Sequence, residues 1–339
     1  MSEAVPREQP GTGAGAGAGA RIRSGVVGVL GLPGVGPLLA LLLAGAFFTS
    51  QSAQFLTGRN LSLVVQQVMV VGVEAIGQTL IILTAGIDLS NGNIMAFSSV
   101  ILTSLAVTHG VPPVLAVAVG FLVSIGFGLL NGLLVTQIRL PPFIVTLGTL
   151  NIARALTLIY TTTTIANLPA SLTALGSTFR VGTTAITYGS LLMIALYLIM
   201  WFVLSQTGWG RHVYSIGDNP EATRLAGISP KRLLTSVYAL AGLFYGIAGL
   251  LLVARTGVGD PQAGLTDNLD SITAVVLGGT SLFGGRGSML GTLIGALIVG
   301  VIRNGLQLMG VPSIYQVLVT GILVILSVSI DQLTHRGQG

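Results

Sequence analysis

Long runs of apolar residues dominate the hydrophobic pattern of this chain, and charged residues are rare between them. A helix needs about 20 apolar residues to cross the hydrocarbon core of a bilayer. The charge-free segment 89–138 is long enough for two crossings, and 109-HGVPP-113 is the expected turn between them. Six segments contain no charged residue: 24–58, 89–138, 155–179, 181–210, 233–254 and 304–330.

This pattern predicts an all-α polytopic membrane protein with about ten transmembrane helices. A β-barrel would instead show alternating strands of about ten residues, and that alternation is missing. The eighth predicted span is short and flanked by glycine, which indicates a half-helix or a re-entrant segment. The predicted spans cover residues 26–48, 62–84, 93–109, 114–135, 143–161, 187–204, 234–254, 270–283, 288–308 and 314–331.

The composition supports a membrane domain and excludes two broad classes of protein. Only 7% of the 339 residues are charged, whereas 52% are hydrophobic. Soluble domains average about 25% charged residues, so this chain is not a soluble enzyme. The net charge of +5 reflects few acidic residues rather than a basic cluster, which excludes a nucleic-acid binder. Small residues favour close helix contacts, and Gly287, Gly291 and Gly295 predict one such packing face.

The distribution of basic residues predicts the topology. With the amino terminus in the cytoplasm, only Arg59, Arg180 and Arg255 fall outside, as the positive-inside rule favours. We expect residues 1–23 to form a disordered cytoplasmic tail, residues 24–333 a transmembrane domain, and residues 334–339 a cytoplasmic tail. Ten bases then lie in cytoplasmic segments: Arg7, Arg21, Arg23, Arg139, Arg211, Arg224, Lys231, Arg232, Arg286 and Arg336.

The longest polar segment after the amino-terminal tail is 205–233, between the sixth and seventh spans. Asp218 or Asn219 can cap a helix there, Pro220 suits its first position, and Glu221 lies near the positive end of its dipole. Gly227 can end this helix after about two turns. The segment is either a solvated loop or a docking helix that transmits force from a cytoplasmic partner, and composition alone does not separate the two.

Side chains that could carry catalysis are sparse. The sequence has no G-x-x-x-x-G-K-[ST] loop for nucleotide phosphates, so ATP hydrolysis is expected on a separate chain. The string 257-GVGD-260 matches one motif of aspartyl intramembrane proteases, but the second acidic motif is missing. The three histidines lie at span edges or in loops, so no metal site is expected.

Polar residues inside the predicted spans are candidates for a solute pathway. Glu74 and Arg154 are charged, and such residues usually face the interior of a helix bundle. They could form an ion pair, line the pathway or act in a proton relay, although a relay normally uses several carboxylates. Amides at similar depth could bind a neutral solute: Gln66, Gln67, Gln78, Asn131, Asn151 and Asn304.

Short motifs recur in the two halves of the chain. Residues 85–96 resemble residues 263–274, and the tripeptide Asn131–Gly132–Leu133 recurs at 304–306. In the predicted topology, the first copy lies near the cytoplasm and the second near the outside. The pattern predicts an inverted repeat that relates helices 2–5 to helices 7–10, as in many transporters.

Four stretches, 85–96, 126–161, 216–228 and 274–306, closely resemble the membrane-spanning permease subunit of bacterial ABC importers for monosaccharides. The resemblance covers about residues 60–332 and implies a multi-pass protein of the bacterial cytoplasmic membrane, in contact with lipid. It also implies that the polar loop holds a coupling helix that docks on an ATPase subunit. The coupling residues would be Gly217, Asp218, Asn219, Pro220, Glu221, Ala222, Arg224, Leu225 and Gly227.

The resemblance further implies the composition of the transporter. The partners would be a second permease subunit (most simply a second copy of this chain), cytoplasmic ATPase subunits that hold ATP and magnesium, and an extracytoplasmic sugar-binding protein. This chain would carry no cofactor and no catalytic residue. Asn91–Gly92–Asn93 departs from the family pattern, which leaves the type of sugar open. The alternative function, from a different class, is an ion-coupled secondary solute transporter.

Overall fold

The computed structural model describes residues 35–182 and 184–336, so the tail predicted at residues 1–23 lies outside the described part. Residues 334–336, which we assigned to a carboxy-terminal tail, continue the last helix. The described part contains thirteen α-helices: α1 (Val35–Gln51), α2 (Gly58–Leu83), α3 (Asn91–Val107), α4 (Pro113–Thr136), α5 (Pro142–Tyr160), α6 (Ala170–Thr173), α7 (Tyr188–Gln206), α8 (Gly208–Asp218), α9 (Pro220–Leu225), α10 (Pro230–Thr256), α11 (Asp267–Leu277), α12 (Met289–Leu308) and α13 (Ser313–Arg336).

Each predicted span corresponds to one helix, although the first span begins outside the described residues. Helices α2, α4, α5, α7, α10 and α12 are long and apolar enough to cross a membrane. Helices α1 and α3 and the first part of α13 are shorter apolar helices. Helix α11 has 11 residues and a length of about 16 Å, roughly half of the hydrocarbon core. The predicted all-α polytopic fold and its short eighth segment are therefore confirmed.

Local capping chemistry sets several helix boundaries. Pro113, Pro142 and Pro230 occupy the first turn of α4, α5 and α10, where a missing N–H costs no hydrogen bond. Helix α10 ends at Gly257, which adopts a left-handed conformation with φ of 72°. These signals are visible in the sequence, which explains why the predicted span boundaries lie close to the observed helix ends.

Helices α2 and α10 form the centre of the bundle. In the most apolar part of each, 83% of α2 and 72% of α10 is buried, against 22% of α4. Glycines allow this close packing: a methyl group on Gly77 of α2 would collide with Tyr245 of α10, and one on Gly242 of α10 would collide with the Ser124 carbonyl of α4. Helices α4, α5 and α7 instead expose apolar side chains such as Leu122 and Ile159, as expected for contact with lipid.

Helices α3 and α11 begin in the interior and meet there. The Asn91 side-chain amide donates to Ser271 Oγ at 2.6 Å, and the Asn268 amide donates to the Leu89 carbonyl at 3.2 Å. Gly92 and Gly264 come so close that a Cβ on either would collide with the carbonyl oxygen of the other. Irregular backbone at this depth is tolerated because protein surrounds it.

The helix contacts repeat in the two halves of the described chain. Helix α3 packs on α4 as α11 packs on α12, and α3 packs on α5 as α11 packs on α13. Helix α10 also packs on α4 as α2 packs on α12. This pairing relates α2–α5 to α10–α13, the same two sets that the sequence motifs relate.

The connection between α5 and α7 differs from the purely helical prediction. It contains α6, a 3₁₀ turn at Ala174–Gly176, and an antiparallel hairpin of β1 (Thr178–Val181) and β2 (Thr184–Thr187). Thr178 pairs with Thr187, and Val181 pairs with Thr184. The strands are four residues each, too short for the sequence pattern to separate them from loop.

Candidate functional site

The short helix α9 lies between α8 and α10 and has the capping that its sequence predicts. The Ala222 N–H donates to Asn219 Oδ1 at 2.9 Å, so Asn219 rather than Asp218 is the cap. The Thr223 hydroxyl donates to the Asn219 carbonyl at 2.8 Å. Gly227 ends the turn with φ of 83°, a conformation that suits glycine. The result is a defined helix of six residues at one end of the bundle.

The outer surface of α9 combines an ion pair with an exposed apolar side chain. Arg224 contacts Glu221 through two hydrogen bonds, with Nη2–Oε1 at 2.6 Å and Nε–Oε2 at 3.1 Å. This contact holds the pKa of the Glu221 carboxyl below its usual range and raises the pKa of Arg224, so both are charged near neutral pH. Leu225 beside them is 75% exposed. A solvent-exposed ion pair contributes little to stability, so the fold of the bundle does not depend on this surface.

Helix α8 fastens α9 to the rest of the bundle. Gly217 lies against the Leu83 carbonyl at the end of α2, and a Cβ there would occupy the same space. The Gly285 N–H, in the α11–α12 loop, donates to that carbonyl at 2.9 Å. The Tyr214 hydroxyl donates to the Gly287 carbonyl at 3.0 Å, and burial raises the pKa of Tyr214, which keeps its proton in place. Helix α8, which precedes α9 directly, is therefore in contact with the end of α2 and with the α11–α12 loop.

A second contact links α8 to α10. The Trp209 Nε1–H donates to Ser236 Oγ at 3.0 Å. Helix α10 then runs for 27 residues, about 40 Å, to the opposite end of the bundle. The α9 surface and that opposite end are thus joined by one continuous helix.

A polar cavity of about 350 Å³ lies at that opposite end, between α2, α10, α11, α12 and α13. Its wall is partly apolar, with Val68 and Val71 from α2 and Val299 from α12. Polar side chains from all five helices face the same space, which is unusual for a lipid-facing surface. These are Gln67, Arg255, Asp267, Arg303, Gln307, Ser313 and Gln316.

The charges around this cavity balance. Arg303 Nη2 lies 2.6 Å from Asp270 Oδ2, and Nη1 lies 4.0 Å from Asp267 Oδ1. Asp270 is fully buried behind the cavity wall, so it requires this partner. The Arg255 side chain forms no hydrogen bond or salt bridge with any other residue in the described ranges. Two arginines and two aspartates give the region no net charge.

Of the six amides predicted for a solute pathway, Gln67 lines this cavity and the other five do not. Asn304 pairs with Asn60 through two hydrogen bonds of 2.8 and 3.0 Å, and Asn131 donates to Ser90 Oγ at 3.1 Å. The remaining three are placed as follows: Gln66 donates to Ser62 Oγ, Asn151 is exposed on α5 and donates to the Leu147 carbonyl, and Gln78 is buried without a hydrogen-bond partner in the described part.

The ion pair that we considered possible between Glu74 and Arg154 is not formed. Glu74 is fully buried on α2, and neither carboxylate oxygen has a hydrogen-bond partner among the described residues. Arg154 is exposed on α5. Glu74 points into the bundle from α2, whereas Arg154 lies on the exposed side of α5, although both lie within their predicted spans.

The three predicted packing glycines do not all lie on one helix. Gly291 and Gly295 belong to α12 and touch the backbone of Ala274 in α11 and of Gly278 just after it. Gly287 precedes α12 in the loop and lies against Thr280 with φ of 155°. The predicted packing face is therefore one residue shorter than the sequence period indicated.

Most of the cavity residues were missed by sequence reasoning. Arg255, Asp267 and Gln307 lie at the ends of predicted spans, where charged and polar residues are ordinary. The available signal was Asp270 near the start of the short eighth span, with Arg303 inside the ninth, because buried opposite charges tend to pair. No group of three or more metal-ligating side chains is present within residues 35–182 and 184–336.

Comparisons with known proteins place the chain in a family. A family model described as "Branched-chain amino acid transport system / permease component" matches residues 60–328. The fructose import permease protein FrcC of Rhizobium meliloti is 46% identical over 311 residues, which cover 90% of this chain and 86% of that protein. The ribose import permease protein RbsC of Bacillus subtilis is 40% identical over 304 residues, covering 88% and 92%.

A third relative is more distant. The xylose transport system permease protein XylH of Escherichia coli is 30% identical over 362 aligned positions, covering 89% of this chain and 91% of that protein. No solved structure matches the chain. The matches cover 86–92% of each relative, and the family-model match at residues 60–328 includes both the α9 surface and the polar cavity. The chain therefore belongs to the family of membrane-spanning permease subunits of bacterial monosaccharide ABC importers.

Proposed function

We propose that this chain imports a monosaccharide across the cytoplasmic membrane, driven by ATP that is bound and hydrolysed with magnesium on separate ATPase subunits. The observation that carries this proposal is the α9 surface. Asn219 caps a short helix whose exposed face presents the Glu221–Arg224 pair and Leu225, while α8 ties it to helices that reach across the bundle. A motor that docks on α9 could thereby move α2, α10, α11 and α12.

The proposed orientation places α9 in the cytoplasm. Arg211, Arg224, Lys231 and Arg232 cluster around it, in line with the positive-inside rule. The polar cavity, at the far end of α10, then opens toward the outside. There it could receive solute from an extracytoplasmic sugar-binding protein. Both chain termini would lie in the cytoplasm, and a second copy of this chain would complete the pathway.

The relatives favour a monosaccharide as the solute. Those described above are named for fructose, ribose and xylose, although the family model is named for branched-chain amino acids. The polar cavity contains amides together with balanced charges, which suits a neutral polyol. Within the described ranges, Glu74 is buried without a hydrogen-bond partner, but Asp88 accepts hydrogen bonds from Ser90 and Tyr245, and Asp267 and Asp270 lie beside Arg303. A proton relay normally uses several free carboxylates, so these contacts do not favour an ion-coupled transporter.

The test is uptake by the permease reconstituted in proteoliposomes with its ATPase and its binding protein. We expect accumulation of labelled fructose or ribose that requires ATP and the binding protein. Arg224→Ala and Glu221→Ala should each reduce both uptake and ATPase stimulation, whereas Gln206→Ala, on an exposed position before α8, should change neither. Uptake that needs only a proton or sodium gradient would overturn the proposal. Normal activity of both α9 variants would remove α9 from the mechanism.

A further inference from the structure

We propose that the polar cavity between α2, α10, α11, α12 and α13 binds one monosaccharide within a single protomer. This inference rests on the proposed function and adds a specific binding site for the solute within the chain. It differs from a route formed only between two subunits, because all of its lining comes from one copy of the chain.

The size of the cavity suits a small solute. Small-molecule sites commonly enclose about 300–1,000 Å³. At about 350 Å³ the cavity is near the lower limit, which matches a single sugar ring better than an oligosaccharide. Its apolar wall, formed by valines such as Val68, Val71 and Val299, offers contact to the C–H face of a ring.

The hydrogen-bonding groups of the cavity match a polyol. Every sugar hydroxyl both donates and accepts, so its site needs both kinds of group. The side-chain amides of Gln67, Gln307 and Gln316 offer both hydrogen-bond donors and acceptors. Arg255 supplies further donors, and Asp267 supplies further acceptors. These residues lie on five different helices, so the fold, not the local sequence, brings them together.

One buried atom in the cavity wall has no partner. The Gln67 amide nitrogen lies 3.4 Å from Gln307 Oε1, a long hydrogen bond, and Gln67 Oε1 is buried without a hydrogen bond to any described residue. Buried polar atoms are nearly always satisfied, so this acceptor requires a donor that comes from outside the chain. A sugar hydroxyl would supply it.

The balance of charge selects a neutral ligand. Arg303 lies 2.6 Å from Asp270 and 4.0 Å from Asp267, so an ammonium group would compete with this guanidinium, whereas Asp267 can still accept a hydrogen bond from a hydroxyl. An anion could reach Arg255, but Asp267 lies in the same cavity and would repel it. The cavity therefore disfavours phosphorylated and other solutes with a net charge, and it suits an uncharged sugar.

The test uses the absence of cysteine from the sequence. Ser313→Cys places a single thiol at the cavity, and Thr163→Cys places a matched control thiol at an exposed position of the α5–α7 connection, away from the cavity. Both variants are assembled with the ATPase and binding protein in proteoliposomes and labelled with a charged, membrane-impermeant thiol reagent. Fructose, ribose and leucine are added in turn at increasing concentration.

We expect fructose or ribose to slow labelling of Ser313→Cys at least about threefold, with saturation, and to leave Thr163→Cys unchanged. Leucine should protect neither. Adding Asp267→Asn to Ser313→Cys should raise the sugar concentration needed for protection without blocking labelling, because one carboxylate oxygen is replaced by an amide donor. This second variant separates occupancy from a remote conformational change.

Three results would overturn the inference. They are unchanged labelling of Ser313→Cys in a complex that imports one of the sugars, protection by leucine instead of sugar, and protection that needs no more sugar after Asp267→Asn than before. The first leaves the proposed function intact and removes only the cavity. A complex that imports neither sugar speaks against the proposed function, whereas saturable protection in the same complex would still support the cavity.

Discussion

The hydrogen bond that caps α9 gives the sharpest test of coupling. In Asn219→Ala, the Ala222 N–H loses its acceptor at 2.9 Å, while the backbone bonds of residue 219 remain. Loss of such a cap costs about 1 kcal/mol. Because 1.4 kcal/mol corresponds to a tenfold change in an equilibrium constant, the population of folded α9 should fall about fivefold relative to its unfolded form.

This local change should appear in coupling and not in global stability. Helix α9 has six residues and buries only Thr223, so the rest of the bundle does not depend on it. An isolated helix of that length is marginal, which makes its cap decisive for its population. We therefore expect the affinity for the ATPase subunit to weaken by up to about fivefold, with the melting temperature of the purified permease nearly unchanged.

The assay is titration of the ATPase subunit onto the permease in nanodiscs, followed by stimulated ATP hydrolysis. Asn219→Asp is the matched variant, because aspartate caps a helix as well as asparagine and is favoured at the positive end of the dipole. It should retain wild-type affinity. Wild-type affinity in Asn219→Ala, or equal loss in Asn219→Asp, would refute the claim that the capped helix is the docking element.

Three further outcomes follow from the same contacts. Gly295→Ala should destabilise the protein by about 2 kcal/mol, because its methyl group would collide with the α11 backbone. Gly126→Ala, whose methyl group would face open space within α4, should leave stability unchanged or raise it slightly, because alanine favours a helix over glycine. Thermal unfolding in detergent compares the two variants. Asp270→Asn should cost about 3 kcal/mol by leaving Arg303 without its buried partner, and the double variant with Arg303→Met should recover part of that loss in the same assay. The lowered pKa of Glu221 means that its ionised form is favoured in the folded state. The ionised carboxyl therefore stabilises folded α9 above the usual carboxyl pKa, and this stabilisation is lost as pH falls through the lowered pKa. ATPase affinity should therefore be flat between pH 6 and 8, and a decline at low pH should be absent in Glu221→Gln.

Sequence reasoning predicted elements that depend on local chemistry. The gaps between charges delimited the spans, because a bilayer core excludes charge along the whole length of a helix. The α9 helix was predicted for a similar reason: Asn219, Pro220 and Gly227 act within a few residues of each other. Only the choice between Asp218 and Asn219 as the cap required the structure.

Features that depend on helix rotation were not predictable. Glu74 and Arg154 share a depth, but α2 is buried on nearly all sides and α5 is exposed, so depth alone could not say that they face apart. The polar cavity could not be predicted for the same reason, because helix packing brings its residues together. Gln67 and Gln307 meet only because two helices from opposite halves of the chain pack side by side, and no local pattern records that.

The meeting of Gly92 and Gly264 has a consequence for how mutations combine. Each glycine leaves the space that a side chain of the other would need, so the two positions share a single void. A methyl group at either position already forces the two backbone segments apart. A second methyl group at the other position then enters the space that this separation has opened. The double variant should cost less than the sum of the single ones, so that two sites far apart in the sequence behave energetically as one.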